Sequence, residues 1–224
     1  MEPNDTRSSM VEKQLAARGI ADLRVLRAFA LVPREDFVPR ALAPFAYRDA
    51  PLPIGDGQTI SQPYIVALTA AALQLRGDEH VLEVGTGSGY AAAILSRLAK
   101  EVFTIERLPG LAEQARERLS RLGYLNVTVV EGDGTLGLPD FAPYDAIAVA
   151  AAGPEVPRAL LEQLAPGGRL VIPIGPDEGE QVLVRIVRDR SGQLHQETLT
   201  EVRFVPLIGA QGWPGALDSD VGPP

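Results

Sequence analysis

From residue 78 onward, short apolar segments alternate with longer segments in which apolar residues recur every three or four positions. The short segments predict buried strands and the longer ones predict amphipathic helices. Strands are predicted at residues 80–84, 102–105, 127–130, 144–150 and 169–174, with helices at 90–98, 109–122 and 155–164 between them. Strands that alternate with such helices form a parallel sheet with helices on both faces. We therefore predict a doubly wound, mostly parallel α/β fold that is Rossmann-like.

The two ends of the chain depart from this alternation. Residues 181–187 and 194–207 flank a turn, which predicts an antiparallel hairpin at the end of the sheet. Before the sheet, Asp22 is the expected capping residue of a short helix. A further helix is expected to begin at Pro63, with Ser61 just ahead of it as a candidate cap. The sheet is thus predicted to have extra helices on its amino-terminal side and a hairpin at its carboxyl-terminal end.

Residues 39–63 contain five prolines and two glycines, which forbid a long regular element there. An irregular segment of this length inside a compact domain is typically functional. We assign residues 1–76 to a helical and proline-rich cover that belongs to the same domain, and residues 77–211 to the core. Residues 212–224 are rich in glycine, proline and aspartate and are predicted to be a disordered tail.

Composition and charge exclude several kinds of function. The 224-residue chain has a formal net charge of −8, no cysteine and two histidines. Disulfides and thiol catalysis are therefore excluded, no metal site is expected, and the negative field would repel nucleic acid. The first residues lack the apolar core of a signal peptide, and the apolar run at 146–152 is far shorter than the roughly 18 residues of a membrane span. We expect a cytoplasmic monomer with no nucleic-acid or membrane partner.

The sharpest chemical signal lies between the first predicted strand of the sheet and its helix, in Glu83-Val84-Gly85-Thr86-Gly87-Ser88-Gly89-Tyr90. Glycines let the main chain approach a ligand closely, and a helix amino terminus follows. The dinucleotide-binding pattern requires a glycine where Tyr90 stands. Glu83 suits a ligand with positive charge, such as the sulfonium and ammonium of S-adenosylmethionine, which it would contact directly or through water. Alternatively, Glu83 only caps nearby main-chain amides.

Two further acidic residues follow the next two strands. Glu106 ends the second strand, where a carboxylate can accept hydrogen bonds from both ribose hydroxyls of NAD or of S-adenosylmethionine. Asp133, in Gly132-Asp133-Gly134, follows the third strand and could accept from an adenine amino group, although an isolated Asp-Gly pair is most often a turn. Because parallel strands end at one edge of the sheet, these signals together predict a nucleotide-type cofactor site there.

Six further segments have sequences distinctive enough to compare with known families. They are Val32-Pro-Arg-Glu-Asp-Phe-Val38, Tyr47-Arg-Asp-Ala-Pro-Leu-Pro-Ile-Gly55, Gln58-Thr-Ile-Ser-Gln-Pro-Tyr64, Pro143-Tyr-Asp-Ala-Ile147, Leu164-Ala-Pro-Gly-Gly168 and Arg203-Phe-Val-Pro-Leu207. With the glycine loop and the Gly-Asp-Gly turn, they make residues from about 10 to 213 resemble the protein-L-isoaspartate (D-aspartate) O-methyltransferases. The Thr-Ile-Ser-Gln-Pro segment is the most specific, because the glycine loop alone would fit most class I methyltransferases.

The resemblance implies a class I methyltransferase that uses S-adenosylmethionine to methylate the free carboxyl of L-isoaspartyl and D-aspartyl residues in damaged proteins and peptides. The ester then closes to a succinimide, which hydrolyses partly to normal aspartate. By resemblance, Ser61 is the active-site serine. The residues implied to line the cofactor are Thr59, Ile60, Ser61, Gly85, Thr86, Gly87, Ser88, Gly89, Tyr90, Glu106, Arg107, Asp133 and Gly134, beside Glu83.

Methylation of a carboxylate needs no general base, which agrees with the lack of a cysteine and the small number of histidines. A carboxylate, with a pKa of about 4, is already ionised at pH 7 and needs no base. Ser61 would therefore orient the substrate carboxylate, and a rate that does not change between roughly pH 6 and 8 is expected. Alternatives remain: another class I methyltransferase acting on a small molecule or RNA, a cofactor-binding module without catalysis, or an NAD-linked oxidoreductase.

Overall fold

The computed structural model describes residues 7–176 and 179–215. The strands are β1 (Leu52–Gly55), β2 (Gln58–Ile60), β3 (His80–Val84), β4 (Glu101–Glu106), β5 (Val127–Glu131), β6 (Tyr144–Val149), β7 (Leu164–Ile174), β8 (Gln181–Arg188) and β9 (Leu194–Val202). Seven of them form one sheet in the order β5-β4-β3-β6-β7-β8-β9. Strands β3 to β7 pair in parallel, and β8 and β9 are antiparallel. The predicted fold and its carboxyl-terminal hairpin are confirmed.

Helices cover both faces of this sheet. They are α1 (Leu23–Leu31), α2 (Pro63–Ala72), α3 (Tyr90–Leu95), α4 (Pro109–Arg121) and α5 (Arg158–Gln163). The described residues also contain a wide helical turn (Met10–Leu15) and tighter turns of 3₁₀ type (Ala16–Arg18, Arg34–Phe37, Arg40–Phe45, Gly134–Leu136 and Pro139–Phe141). Asp22 caps α1 as predicted, because its side chain accepts a hydrogen bond from the Arg24 N–H at 2.9 Å.

Side chains on the central strands alternate between two hydrophobic clusters. Val81 and Val102 belong to the cluster that also contains the buried residues of α1 and α2. Leu82 and Phe103, one residue further along each strand, belong to the cluster under α5. The amino-terminal cover therefore packs directly on one face of the sheet and shares its core.

Three sequence predictions about local structure are corrected. Ser61 does not cap α2, because the capping position is Gln62 and no side chain makes the capping hydrogen bond. The segment 39–63 is not irregular throughout, since β1 and β2 pair in it as a short antiparallel hairpin. Strand β7 begins at Leu164 and not at residue 169 as predicted, so Pro166-Gly167-Gly168 belongs to the strand.

Two helices are shorter than the sequence predicts. Helix α3 stops at Leu95 instead of residue 98, because the following main chain tightens into turns with Leu98 N–H bonded to the Leu95 carbonyl at 2.9 Å. Helix α5 begins at Arg158 instead of residue 155, because Pro157 disfavours helical geometry in the residue before it.

The predicted tail begins with ordered residues. The Trp213 N–H donates to the Leu207 carbonyl at 2.7 Å, and the Trp213 indole N–H donates to the Ala152 carbonyl at 3.1 Å. The prediction of disorder is therefore wrong at Trp213, and residues 216–224 lie outside the described residues. Among residues 7–176 and 179–215, no helix combines the length and the apolar composition needed to cross a membrane.

Close packing at the strand ends can be tested at Gly134. A Cβ atom there would lie 2.4 Å from Cγ1 of buried Val84, so Gly134→Ala should lower the free energy of unfolding by about 1–3 kcal/mol. Gly110, in the first turn of α4, is the matched control, because a Cβ atom added to it would meet nothing within 4 Å. Gly110→Ala should leave stability unchanged or raise it slightly. Urea denaturation of both variants measures the difference, and equal stabilities would contradict this packing.

Candidate active site

The glycine loop joins β3 to α3 at the carboxyl edge of the sheet. Gly87 has φ +51°, a left-handed conformation that favours glycine, and a Cβ there would lie 3.2 Å from Ile54 Cδ1. The Gly87 N–H donates to Glu106 Oε2 at 2.8 Å. The loop is therefore held between the β1–β2 hairpin above it and the end of the neighbouring strand beside it.

Glu106 ends β4 and is only 6% exposed. Its Oε1 accepts from the Leu108 N–H at 3.0 Å, and its Oε2 accepts from the Gly87 N–H. Each carboxylate oxygen can accept more than one hydrogen bond, so both retain capacity for a ligand. The carboxylate is thus fixed in place before any ligand binds.

A cleft of about 800 Å³ opens at this edge of the sheet. It brings together most of the residues that the sequence assigned to the cofactor: Thr59, Ile60, Ser61, Gly85, Thr86, Gly87, Ser88, Tyr90, Glu106, Arg107 and Gly134. These residues come from the proline-rich cover and from the ends of three strands. Their convergence makes this cleft the candidate active site.

Three of the assigned residues lie outside the lining of the cleft. Gly89 packs against Leu119 of α4. Asp133 Oδ1 accepts from the N–H and the hydroxyl of Thr135, and its Oδ2 accepts from the Ala210 N–H at 2.8 Å. Asp133 therefore braces its own turn against the carboxyl-terminal segment, and its role toward an adenine group stays a prediction.

Glu83, the third of these residues, is buried beneath the glycine loop with 1% exposure. Its Oε2 accepts from the Thr104 hydroxyl at 2.5 Å, and Thr104 in turn lies 2.6 Å from the Thr86 hydroxyl. Burial raises the pKa of Glu83 to about 8, the Thr104 hydrogen bond opposes this, and the Glu106 carboxylate raises the pKa further. Below that pH the Glu83 carboxyl holds its proton. The rate that does not change between roughly pH 6 and 8 stays a prediction, because it concerns the substrate carboxylate and the sulfonium.

Glu83 lines a second, mainly apolar cavity of about 440 Å³, and a third cavity of about 700 Å³ lies between residues 59–65 and 201–205. Ser61 and Ala150 line the cleft and both of these cavities. The Ser61 hydroxyl forms no hydrogen bond with any residue that the structure describes. It is therefore available to a ligand at the point where the three spaces meet.

Sequence reasoning missed part of the cleft. Residues 205–208, together with Gln58, Val66, Ala91, Ile105, Ala150 and Ala151, line it as well. The sequence did contain a signal for residues 205–207, because they belong to Arg203-Phe-Val-Pro-Leu207, one of the segments that carry the family resemblance. The apolar residues gave no such signal, since a small or branched apolar residue at a strand end is also typical of the hydrophobic core.

Comparison with known proteins agrees with this geometry. The family model described as protein-L-isoaspartate(D-aspartate) O-methyltransferase matches residues 5–212. A protein-L-isoaspartate O-methyltransferase 2 from Marinobacter nauticus is 58% identical over 94% of this chain and 96% of its own length. A protein-L-isoaspartate O-methyltransferase from Protochlamydia amoebophila is 56% identical over 91% of this chain and 97% of its own.

Solved structures give the same result. A protein-L-isoaspartate O-methyltransferase superposes with a TM-score of 0.82 at 33% identity, covering 92% of this chain and 67% of the other. A candidate protein-L-isoaspartate O-methyltransferase from Plasmodium falciparum, in complex with S-adenosyl-L-homocysteine, has a TM-score of 0.77 at 28% identity, covering 90% of this chain and 98% of the other.

The raised pKa of Glu83 predicts how stability changes with pH. Between pH 4.5 and about 8 the folded protein keeps a proton that the unfolded chain has lost, so Glu83 makes the free energy of unfolding fall as pH rises. Glu83→Gln should remove this contribution, and its stability should fall less over that interval. Urea denaturation at several pH values measures both slopes.

Glu79 supplies the matched control. Burial by itself would raise the pKa of Glu79, but the N–H groups of Arg76 and Gly77 lower it. Glu79→Gln should therefore lose stability by a constant amount at pH values from about 5 to 8, where a carboxyl with a lowered pKa does not titrate. Parallel pH slopes for wild type and Glu83→Gln would contradict the prediction for Glu83.

Proposed function

The chain belongs to the protein-L-isoaspartate(D-aspartate) O-methyltransferase family, and from that premise we propose that it methylates the free carboxyl of L-isoaspartyl and D-aspartyl residues in damaged proteins and peptides. The observation that carries this proposal is the position of Ser61. Its unbonded hydroxyl lies where the candidate cofactor cleft meets a separate cavity of about 700 Å³. A donor and an acceptor could therefore meet there from opposite sides.

The residues of the cleft fit S-adenosylmethionine, which supplies an activated methyl group when bound. Glu106 is held at the end of β4 with capacity to accept from two ribose hydroxyls. The glycine loop lets the main chain approach the ligand, with Thr59, Ile60 and Arg107 on the surrounding walls. A buried carboxyl, Glu83, lies in the adjoining cavity and would suit the positive charge of this cofactor when ionised.

The acceptor is itself a carboxylate, so the reaction requires no general base from the protein. The Ser61 hydroxyl is assigned to orient that carboxylate by one charge-assisted hydrogen bond. The β1–β2 hairpin, with Ile54 against Gly87, lies over the glycine loop and is assigned to limit the access of water. Methyl transfer from a sulfonium to a carboxylate removes two opposite charges, so a site with little water favours it over the separated ions.

Glu83 makes cofactor binding depend on pH in this proposal. A cationic ligand is bound more tightly by an ionised carboxylate than by a protonated one, and the pKa of Glu83 without ligand is about 8. Affinity for S-adenosylmethionine should then increase as pH rises from about 6 to 8. The neutral product S-adenosylhomocysteine lacks the sulfonium charge and should show a weaker dependence.

The proposal also covers the substrates, the cellular location, the oligomeric state and the partners of the protein. Damaged proteins and peptides are the proposed substrates, and a cytoplasmic monomer without nucleic-acid or membrane partners stays a prediction. Cell fractionation and sedimentation velocity would test location and oligomeric state.

Transfer of labelled methyl groups tests the function directly. With S-adenosylmethionine as donor, an isoaspartyl peptide should acquire base-labile label, whereas the same peptide with normal aspartate should not. Because both peptides have equal composition and charge, only the geometry of the carboxyl differs. Equal labelling of the two, or none, would contradict the proposal, and labelling of RNA would favour the alternative methyltransferase.

Glu106 should dominate recognition of the cofactor ribose. Glu106→Ala removes acceptors worth about 1.5–3 kcal/mol per charge-assisted hydrogen bond, so the Kd for S-adenosylhomocysteine should rise at least about tenfold. Glu131, which pairs with Glu106 at the end of β5 but does not line the cleft, is the matched control. Calorimetric titration of Glu131→Ala should give the wild-type Kd. An unchanged Kd in Glu106→Ala would refute the ribose assignment.

A further inference from the structure

Arg34 is completely buried and belongs to the cover, at the start of a tight turn (Arg34–Phe37). Its Nε donates to the Ala46 carbonyl at 2.8 Å, and its Nη2 donates to the Ser61 carbonyl at 2.7 Å. One guanidinium thus joins three parts of the chain that are far apart in sequence. One of those parts carries the serine at the junction of the cavities.

A buried cation is an expensive way to make such a connection. Burial lowers the pKa of Arg34, while Tyr90, Tyr47 and Asp49 oppose the shift, and an arginine stays protonated at neutral pH. Among the described residues, Arg34 forms no ion pair, and its Nη1 has no hydrogen-bond partner. Desolvating a charge without an ion-pair partner is unfavourable, so stability alone gives a weak reason for an arginine here.

The two carbonyl contacts do have a geometric effect. Ser61 is preceded by Ile60, which pairs with Leu52 in the β1–β2 hairpin. Its own carbonyl is held by Arg34, and the next residue, Gln62, donates from its side chain to the Asp49 carbonyl at 3.1 Å. The main chain is thus fixed on both sides of Ser61, which limits the directions in which its side chain can point.

Arg34 also contacts the cofactor side of the site. Its guanidinium carbon lies 4.8 Å from the centroid of the Tyr90 ring, which Phe37 also contacts edge to face at 5.5 Å. Tyr90 is the first residue of α3, directly after the glycine loop, and lines the cleft. The same side chain therefore contacts both the residue that follows the glycine loop and the main chain of Ser61.

We infer that Arg34 is a positioning residue for methyl transfer, which holds the Ser61 hydroxyl in register with the cofactor cleft through its contacts with the Ser61 carbonyl and the Tyr90 ring. The inference rests on the proposed function for its effect on the rate. Arg34 does not touch the reacting atoms and acts by positioning Ser61 relative to Tyr90. It should therefore affect turnover much more than it affects cofactor binding.

Two conservative variants separate positioning from general stability. Arg34→Lys keeps the charge but loses the planar fork that binds two carbonyls at once. Arg188→Lys is the matched control, because Arg188 also donates to a main-chain carbonyl, that of Leu164 at 2.8 Å, and also has one buried N–H without a partner among the described residues. Arg188 lies on β8, outside the lining of the cleft.

Steady-state kinetics with an isoaspartyl peptide and a titration with S-adenosylhomocysteine test the inference. For Arg34→Lys we expect kcat to fall about 10- to 100-fold, because small misplacements of reacting groups have effects of that size. The Kd should stay within about threefold, since Glu106 and the glycine loop are intact. Arg188→Lys should keep the wild-type kcat even if its melting temperature falls. Equal kcat in wild type and Arg34→Lys would overturn the inference.

A double-mutant cycle identifies the route of the effect. Ser61→Ala should lower kcat by about one to two orders of magnitude, through loss of one hydrogen bond to an ion. If Arg34 acts through Ser61, adding Arg34→Lys to Ser61→Ala should reduce kcat by less than about threefold more. A product of the two single effects would mean that Arg34 acts by another route, and the inference would be wrong.

Hydrogen exchange of the ligand-free protein provides a readout that does not depend on activity. Main-chain amides of residues 59–62, 64 and 65 should exchange faster in Arg34→Lys than in wild type, and at the wild-type rate in Arg188→Lys. Unchanged exchange in Arg34→Lys would overturn the positioning role. If wild type fails to methylate the isoaspartyl peptide, the proposed function fails and the effect on rate falls with it, whereas the exchange result still decides whether Arg34 fixes Ser61.

Discussion

The common direction of strands β3 to β7 decides where a ligand can bind this protein. Because parallel strands all end at one edge of the sheet, the loops after them meet there. The glycine loop, Glu106, Gly134 and Ala150 follow four different strands, yet they line one cleft. The hydrogen bond from Gly87 N–H to Glu106 then fixes two of these strand ends relative to each other. The rest of the site is built onto this edge.

The cover completes the site and places two ionisable groups in the interior. Arg34 and Glu83 are each at most 1% exposed, and the two respond to burial in different ways. Arg34 keeps its charge and donates to main-chain carbonyls. Burial raises the pKa of Glu83 to about 8, so its carboxyl is protonated below that pH. A protein that needed only stability would gain more from apolar side chains at both positions. Stability alone therefore gives a weak reason for either group.

These two groups suit the chemistry of the family to which the chain belongs. A carboxylate acceptor supplies its own electron pair, so the protein has to position it and keep water away. The Ser61 hydroxyl is free of hydrogen bonds to the described residues, while its main chain is tightly held. A side chain that is free to bind and a main chain that is fixed are the two requirements for orienting a substrate. Glu83 lines the adjoining apolar cavity, which Ser61 also lines.

The alternation of apolar segments determined the parallel sheet, its antiparallel end and its helices, because residue spacing within one segment reflects whether it is a strand or a helix. Tertiary structure decided what depends on contacts between distant segments. The sequence made Ser61 a candidate helix cap, but Ser61 does not cap α2 and its hydroxyl forms no hydrogen bond with the described residues. The sequence left Asp133 open as a cofactor contact or a turn residue, and the tertiary structure shows its oxygens bound to Thr135 and Ala210. The burial that raises the pKa of Glu83, and the Arg34 contact with Ser61 across 27 residues, arise only when the chain is folded. A sequence pattern specifies local geometry, whereas burial and long-range hydrogen bonds depend on which segments pack together.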